Sequence, residues 1–356
     1  MGFDAPLAAT AVGSFPHQSV DAAWKLVLEN FPEIPACPQL PATGLNEQME
    51  IQYSEGLPCV VIDEQKRRMY FDTGGDITAI LEKCYENYLS DNLDYFAISP
   101  EFARGIHAME KYLSQEKPPE MKYLKMQVTG PVSFALTVVD ENKRAIYYNE
   151  MFRDVIAKGI AMKARWQLRK FKPISEQRIC MIDEPILSAF GSSTYLSVHR
   201  DDVVALIHEV AEAIHREGGL AGIHCCGNTE WTIPIDAGVD IINFDAYTYG
   251  DSILLYPKQM KAFVESGGIL SWGIVPTSVD IDRETTLSLV DRFLRLVDGL
   301  VAQGIDREKI VQNSMFTASC GTGSVPVDRA ERIARETRNV SDVLKKQFGR
   351  VSGEDT

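Results

Sequence analysis

Eight short apolar runs alternating with longer amphipathic segments predict an α/β fold, a single (β/α)8 TIM-type barrel with a hairpin-containing insertion near the N-terminus. Three observations carry this expectation. The alternation itself means parallel strands joined by crossover helices. Two amphipathic segments stop on glycines just before the next strand, at Gly218-Gly219 and at Ser266-Gly267-Gly268. The length of 356 residues with 45% hydrophobic content suits one large core, and barrels of this type take about 250 residues before extensions.

In chain order, the strand-like runs are Ala9–Phe15, Tyr95–Ser99, Tyr123–Thr129, Arg178–Asp183, Leu220–His224, Asp240–Phe244, Ile269–Val275 and Lys309–Phe316. Helical segments between them include Phe152–Phe171, Asp202–Arg216, Pro257–Ser266 and Thr285–Gly304. In the second of these, Val203, Leu206, Ile207, Val210 and Ile214 recur at helical spacing, with Asp201 and Asp202 as cap candidates. Residues 31–75 break the rhythm. There Cys59–Ile62 and Met69–Phe71 flank the polar run Asp63–Arg68, which predicts a hairpin. This segment is expected to be an insertion over a barrel domain covering residues 1–349. Val327–Gln347 reads as the closing helix, and 350–356 as a frayed tail.

Fifty acidic against 36 basic side chains give a net charge of −14. That balance argues against nucleic acid or an anionic membrane as a partner. No apolar run approaches the roughly 20 residues that span a bilayer, and the N-terminus lacks signal-peptide character. Seven cysteines, an odd number, fit reduced thiols in a cytoplasmic protein better than a disulfide framework.

Barrel enzymes place their chemistry at the C-terminal ends of the strands. His224 and Cys226 lie two apart on an extended segment and so point to the same side. Asp245 ends the next strand, and Cys320 ends the last one. One imidazole, two thiolates and a carboxylate make a tetrahedral zinc site. His224 or Cys226 taken alone could equally be core residues. Zinc with several thiolates favours holding a substrate thiol as thiolate at neutral pH, where a free thiol (pKa ~8.5) is mostly protonated. Such a thiolate attacks an activated methyl group, whereas an oxygen-rich site suits water activation.

Further motifs stand at strand ends in a fixed order: Val12-Gly13-Ser14-Phe15-Pro16, Thr129-Gly130-Pro131-Val132, Ile182-Asp183-Glu184-Pro185, the His224/Cys226 pair, Gly238-Val239-Asp240 leading to Asp245, and Cys320-Gly321. In this order they resemble a superfamily of three branches. These are cobalamin-independent methionine synthase (its catalytic C-terminal half), corrinoid-linked zinc methyltransferases that methylate coenzyme M, and uroporphyrinogen decarboxylase. The resemblance implies a catalytic zinc on His224, Cys226 and Cys320. Asp245 stands where methionine synthases have a longer glutamate ligand. It also implies that Ser14 holds the carboxylate of a homocysteine-like acceptor and Asp183 its ammonium, with Glu47 a second ammonium partner. Folate-dependent relatives have two homologous halves and a histidine after the seventh strand. This chain has one half, and Trp272–Thr277 contains no histidine. Methylcobalamin or a methylated corrinoid protein is therefore the expected methyl donor. The alternatives are a cofactor-free decarboxylase and a non-catalytic, zinc-stabilised partner of a corrinoid protein.

The remaining candidates have blander expectations. His17 faces either the pocket or the surface. His107, His199, His208 and His215 are structural or solvated, and Cys37, Cys59, Cys84 and Cys180 are small core residues. Trp231 and Trp272 are expected in the core, with a pocket or interface wall as the alternative. Gly321-Thr322-Gly323 offers backbone amides for an anion contact at the final helix.

Overall fold

A computed structural model describes residues 3–349; the expected frayed tail, 350–356, lies outside the described residues. Ten strands occur in chain order: β1 (Ala8–Ala9), β2 (Val60–Asp63), β3 (Arg68–Phe71), β4 (Leu124–Thr129), β5 (Val139–Asp140), β6 (Arg178–Asp183), β7 (Leu220–Cys225), β8 (Ile241–Phe244), β9 (Ile269–Val275) and β10 (Ser314–Ala318). Seven form one curled parallel sheet in the order β1-β10-β9-β8-β7-β6-β4. The expected hairpin is present: β2 and β3 pair antiparallel around Asp63–Arg68, and β5 joins them as a third strand.

The sheet has seven strands where eight were expected. Tyr95–Ser99 is not a strand, because Leu93–Phe96 coils into a 3-10 turn that buries Leu93 and Phe96. A short apolar run carries no period that separates a strand from a buried turn. The stretch 33–39 lies between the sheet edges instead. Tyr123 N–H donates to Glu33, Lys125 N–H to Pro35 and Cys37 N–H to Lys125, while Gln39 N–H reaches Gly13 and Phe15 N–H reaches Gln39. Its prolines at 35 and 38 cannot donate to a ladder, so only isolated bridges form, Ala36 with Lys125 and Ser14 with Gln39.

Two other expected strands are shifted. Asp306 accepts from Lys309 N–H and caps a helix over Arg307–Gln312, so the last strand starts at Ser314 rather than Lys309. The first strand is regular only at Ala8–Ala9. The helix expected from Asp202 runs Arg200–Arg216, with Asp201 and Asp202 in its first turn and His199 at the cap.

Alternation along the strands explains how the site is raised. On the inner face, Ala8, Ile34, Ile179, Met181, Ile241, Ile269 and Met315 form a separate apolar cluster. Two residues further along each strand the chemistry changes. Asp183 follows Met181, Asn243 follows Ile241, Ser271 follows Ile269 and Thr317 follows Met315. Period-two geometry keeps each pair on one face, so an apolar plug carries a polar layer above it. The outer face packs against helices. Phe244, Trp272 and Phe316 stand in register there and extend through Phe293 as a run of mostly edge-on rings. Trp272 and Trp231 are both fully buried, with their indole N–H groups donated to Ser314 and Ser252. Among the described residues no helix is long and apolar enough to cross a membrane.

Candidate metal centre

His224 is the penultimate residue of β7, and Cys226 follows the strand end directly. Cys320 lies two residues past β10. The curl brings the three together: one nitrogen of His224 and the sulfurs of Cys226 and Cys320 lie within 4.8 Å of one another. Cys225, of opposite parity, is buried in the outer core, as the alternation requires.

The orientation of His224 follows from its neighbour Asn243. The two N–H groups of the Asn243 amide are shared among three acceptors, the Ser271 carbonyl, the Ser271 hydroxyl and the Thr317 hydroxyl, each at 2.8–2.9 Å. Its carbonyl oxygen must therefore face the imidazole, 2.5 Å from Nδ1. An oxygen there can only accept, so Nδ1 carries the proton and Nε2 is left with a lone pair. Nε2 is buried and has no hydrogen-bond partner. An orphaned imidazole nitrogen beside two thiols is what a metal ligand set with its outer support looks like. Asn243→Ala is expected to weaken zinc binding about 10–100-fold, measured by competition with a chelating dye. Unchanged affinity would remove Asn243 from the support.

The two thiols are not equivalent. Cys226 accepts a hydrogen bond from the Cys320 thiol, which holds it well below the ordinary thiol range. Cys320 is pushed up by that hydrogen bond and by burial. One thiolate is thus favoured before any metal arrives.

Asp245 stands apart from this cluster. It is the N-cap of the short helix Ala246–Tyr249, and its carboxylate accepts from Thr248 N–H at 2.8 Å. An Asp one methylene shorter than Glu, and already engaged in capping, is not among the groups that converge on His224, Cys226 and Cys320.

The cluster lines a cavity of about 470 Å³ that also takes in Ser14, Glu47 and Asp183. Asp183 ends β6, is 6% exposed, and leaves Oδ1 without a partner. Burial pushes its carboxyl up to about 6, with the buried Lys125 among the groups that pull it back. Glu47 is buried on a 3-10 turn of the segment before the hairpin. It accepts from Arg104 N–H at 2.8 Å and from the Gln52 amide at 3.1 Å. The cavity lining has carboxylates and thiols but no lysine or arginine.

Two of the strand-end motifs have structural reasons not visible in the sequence. Ser14 and the glycines after Cys320 interlock. The Thr322 and Gly323 amides donate to the Ser14 carbonyl and hydroxyl, so they are not free for an anion. A side chain at Gly321 would put its Cβ 2.0 Å from the Ser14 hydroxyl. Likewise a Cβ at Gly130 would fall 2.1 Å from the Glu184 carboxylate carbon. Glu184 is fully buried and accepts from Val132 N–H, Ser133 N–H and the Ser133 hydroxyl. It anchors the first turn of the helix Pro131–Thr137, so its motif is half scaffold and half site.

Burial drives Glu184 up to about 7, against those three donors. Its folded value lies above the reference 4.5, so its contribution to stability is full below that value and is lost as pH rises through about 7. Relative to Glu184→Gln, the wild type is expected to lose up to about 3 kcal/mol across that window, read from urea denaturation at both ends. A difference that stays flat with pH would show that Glu184 is ionised throughout.

His17 faces neither pocket nor solvent: it is 5% exposed, 3.9 Å from Glu331 of the closing helix. Sequence reasoning passed over Asn243, Gln39 and Lys125, which carry no motif. For Asn243 and Lys125 the signal available is strand parity; Gln39 lies on no strand and has no such signal.

No protein-family model matches this chain, and no curated protein matches it in sequence. Solved structures do resemble it. A B12-independent methionine synthase from Shewanella sp. W3-18-1, in complex with selenomethionine, superposes with a TM-score of 0.57 at 12% identity. That match covers 97% of this chain and all, 100%, of that one. A methyltransferase from Methanosarcina mazei superposes at 0.54 and 12% identity, covering 98% of this chain and 95% of that one. At this identity the likeness is one of fold.

Proposed function

We propose that the chain is a zinc-dependent methyltransferase that activates a thiol acceptor, homocysteine-like, for methyl transfer from a methylcorrinoid donor. The observation that carries this reading is the convergence of His224 Nε2, orphaned and buried, with the sulfurs of Cys226 and Cys320 at the floor of a cavity. A donor set of one imidazole and two thiols favours zinc over magnesium or calcium. The fold likeness to a methionine synthase and to a methyltransferase supports the reading. So does an edge-linked parallel sheet, which we read as a (β/α)8 barrel with stretch 33–39 as its irregular stave. Residues 1–349 then make one catalytic unit.

Zinc, when bound, supplies a Lewis acid that stabilises a substrate thiolate at neutral pH. The chain's own residues do the rest. Cys226 and Cys320 confer soft charge on the ion, and Asn243 fixes the His224 tautomer. Asp183 and Glu47 offer negative charge to an acceptor's ammonium, and Ser14 a hydroxyl to its carboxylate. Asp245 remains a candidate fourth ligand only if it leaves its helix cap. A cavity of about 470 Å³ accommodates an amino-acid-sized thiol, so a corrin donor presents its methyl group from the open side. The segment Trp272–Thr277 offers no histidine for a folate.

The uroporphyrinogen decarboxylase alternative needs basic groups for an acidic tetrapyrrole, and the cavity lining has none. A zinc-stabilised but inactive partner of a corrinoid protein has no use for the exposed edge of Cys320 or the unpartnered oxygen of Asp183. The test is an acceptor screen with zinc-loaded protein and methylcobalamin, followed by the colour change on demethylation. Homocysteine-dependent demethylation is expected. Protein that binds no zinc, or demethylates nothing with any thiol, overturns the reading.

A further inference from the structure

Glu47 lies on a turn outside the sheet, yet its carboxylate lines the cavity. What holds it there is a chain of two buried side-chain amides. The Gln52 amide nitrogen donates to Glu47 at 3.1 Å and to the Phe102 carbonyl at 2.8 Å. The Gln52 carbonyl oxygen accepts from the Gln39 amide at 2.7 Å. Gln52 is 2% and Gln39 7% exposed. Gln39 is also fixed by its backbone, which bonds to Gly13 and Phe15 on either side of Ser14. Both of Gln52's donated bonds and its accepted bond are thus committed, which leaves one arrangement for the amide.

We infer that Gln39 and Gln52 form a relay that couples Ser14 to Glu47, and that they are positioning residues setting the span between the two ends of an amino-acid acceptor. The inference rests on the acceptor reading above. The physical reason is that a carboxylate on a turn is held only by its partners. The backbone amide of Arg104 fixes one oxygen, and the relay fixes the other. Without Gln52 the carboxylate keeps one tether and can rotate away, and the acceptor then has to order it on binding. Gln52 touches Glu47 directly, while Gln39, which also lines the cavity, reaches Glu47 through Gln52 and pairs with Ser14 through its backbone.

The test is a double-mutant cycle read by calorimetric binding of homocysteine to zinc-loaded, full-length protein. Glu47→Gln and Gln52→Met are each expected to raise Kd about tenfold. The double variant is expected to bind no more weakly than Glu47→Gln alone, because the relay acts through Glu47. Zinc stoichiometry is expected to stay unchanged in all three. Gln39→Met breaks the relay one link earlier and serves if Gln52→Met does not fold. Losses that multiply in the double variant overturn the relay, as does a Glu47→Gln variant that binds like wild type. Wild-type protein that binds no aminothiol overturns the acceptor reading, and the relay's role falls with it.

Discussion

Cys320→Ala is expected to abolish methyl transfer and to strip the protein of stoichiometric zinc. The thiol lies in a cluster of three ligand atoms within 4.8 Å, so its removal leaves one imidazole and one thiolate. Zinc bound by thiolate-rich sites is held by about 10–16 kcal/mol. Losing one of three protein ligands is therefore expected to weaken binding by about a thousandfold or more. Activity is expected to fall at least as far, since no other group in the cavity holds a thiol deprotonated. Two measurements check this: zinc content after dialysis against a chelator, and the rate of methylcobalamin demethylation with homocysteine. A melting curve separates ligand loss from misfolding, because Cys320 lies beyond the last strand and outside the apolar clusters. A variant with full activity would mean the centre lies elsewhere.

Asp183→Asn is the second large effect. The side chain is buried with Oδ1 unpartnered, and asparagine keeps the shape while removing the charge. Truncating one partner of a buried charged hydrogen bond costs several kcal/mol at most. The efficiency kcat/KM for homocysteine is accordingly expected to drop about a hundredfold, mainly through KM. A thiol of the same length without the amino group is expected to lose little. Equal losses for both thiols would show that Asp183 does not serve the ammonium.

The same residue predicts a pH dependence. Burial raises Asp183 to about 6, and only the ionised form attracts an ammonium. Wild-type KM for homocysteine should therefore rise as pH falls through about 6, and a nearby bound cation moves that limb lower. Asp183→Asn should lack the limb. For stability the sign is opposite. A folded value above the reference 3.8 contributes stability that is full below that pH and lost as pH rises through about 6. The asparagine variant is thus expected to be the more stable protein at pH 7, the usual trade between a charged site and its scaffold.

Much of the site was legible because strand ends in a parallel sheet share one face. His224 and Cys226 could be paired by parity alone, and Cys320 joined them by its place after the last strand. Ser14 and Asp183 follow from the order of motifs and Glu47 from a looser local resemblance, and all three line one cavity. Asp245 also answers to a local demand. An aspartate one residue past a strand is also the best N-cap for the helix that follows, and the cap has taken it. Tyr95–Ser99 and Lys309–Phe316 misled because short apolar runs do not reveal whether a turn or a strand buries them.

Local pattern along the chain is enough to establish the alternating α/β order, the hairpin at residues 59–71 and the residue types that can hold a soft metal. These depend on neighbours along the chain, where periodicity and turn chemistry act. Which atoms meet depends on how distant segments pack. The curl of the sheet brought Cys320 to His224 across 96 residues, and Asn243 settled which imidazole nitrogen stays free. Packing also decided that stretch 33–39, with prolines that defeat a regular ladder, links the two edges of the sheet. Such contacts are set by packing between segments distant in sequence, and no local pattern encodes them.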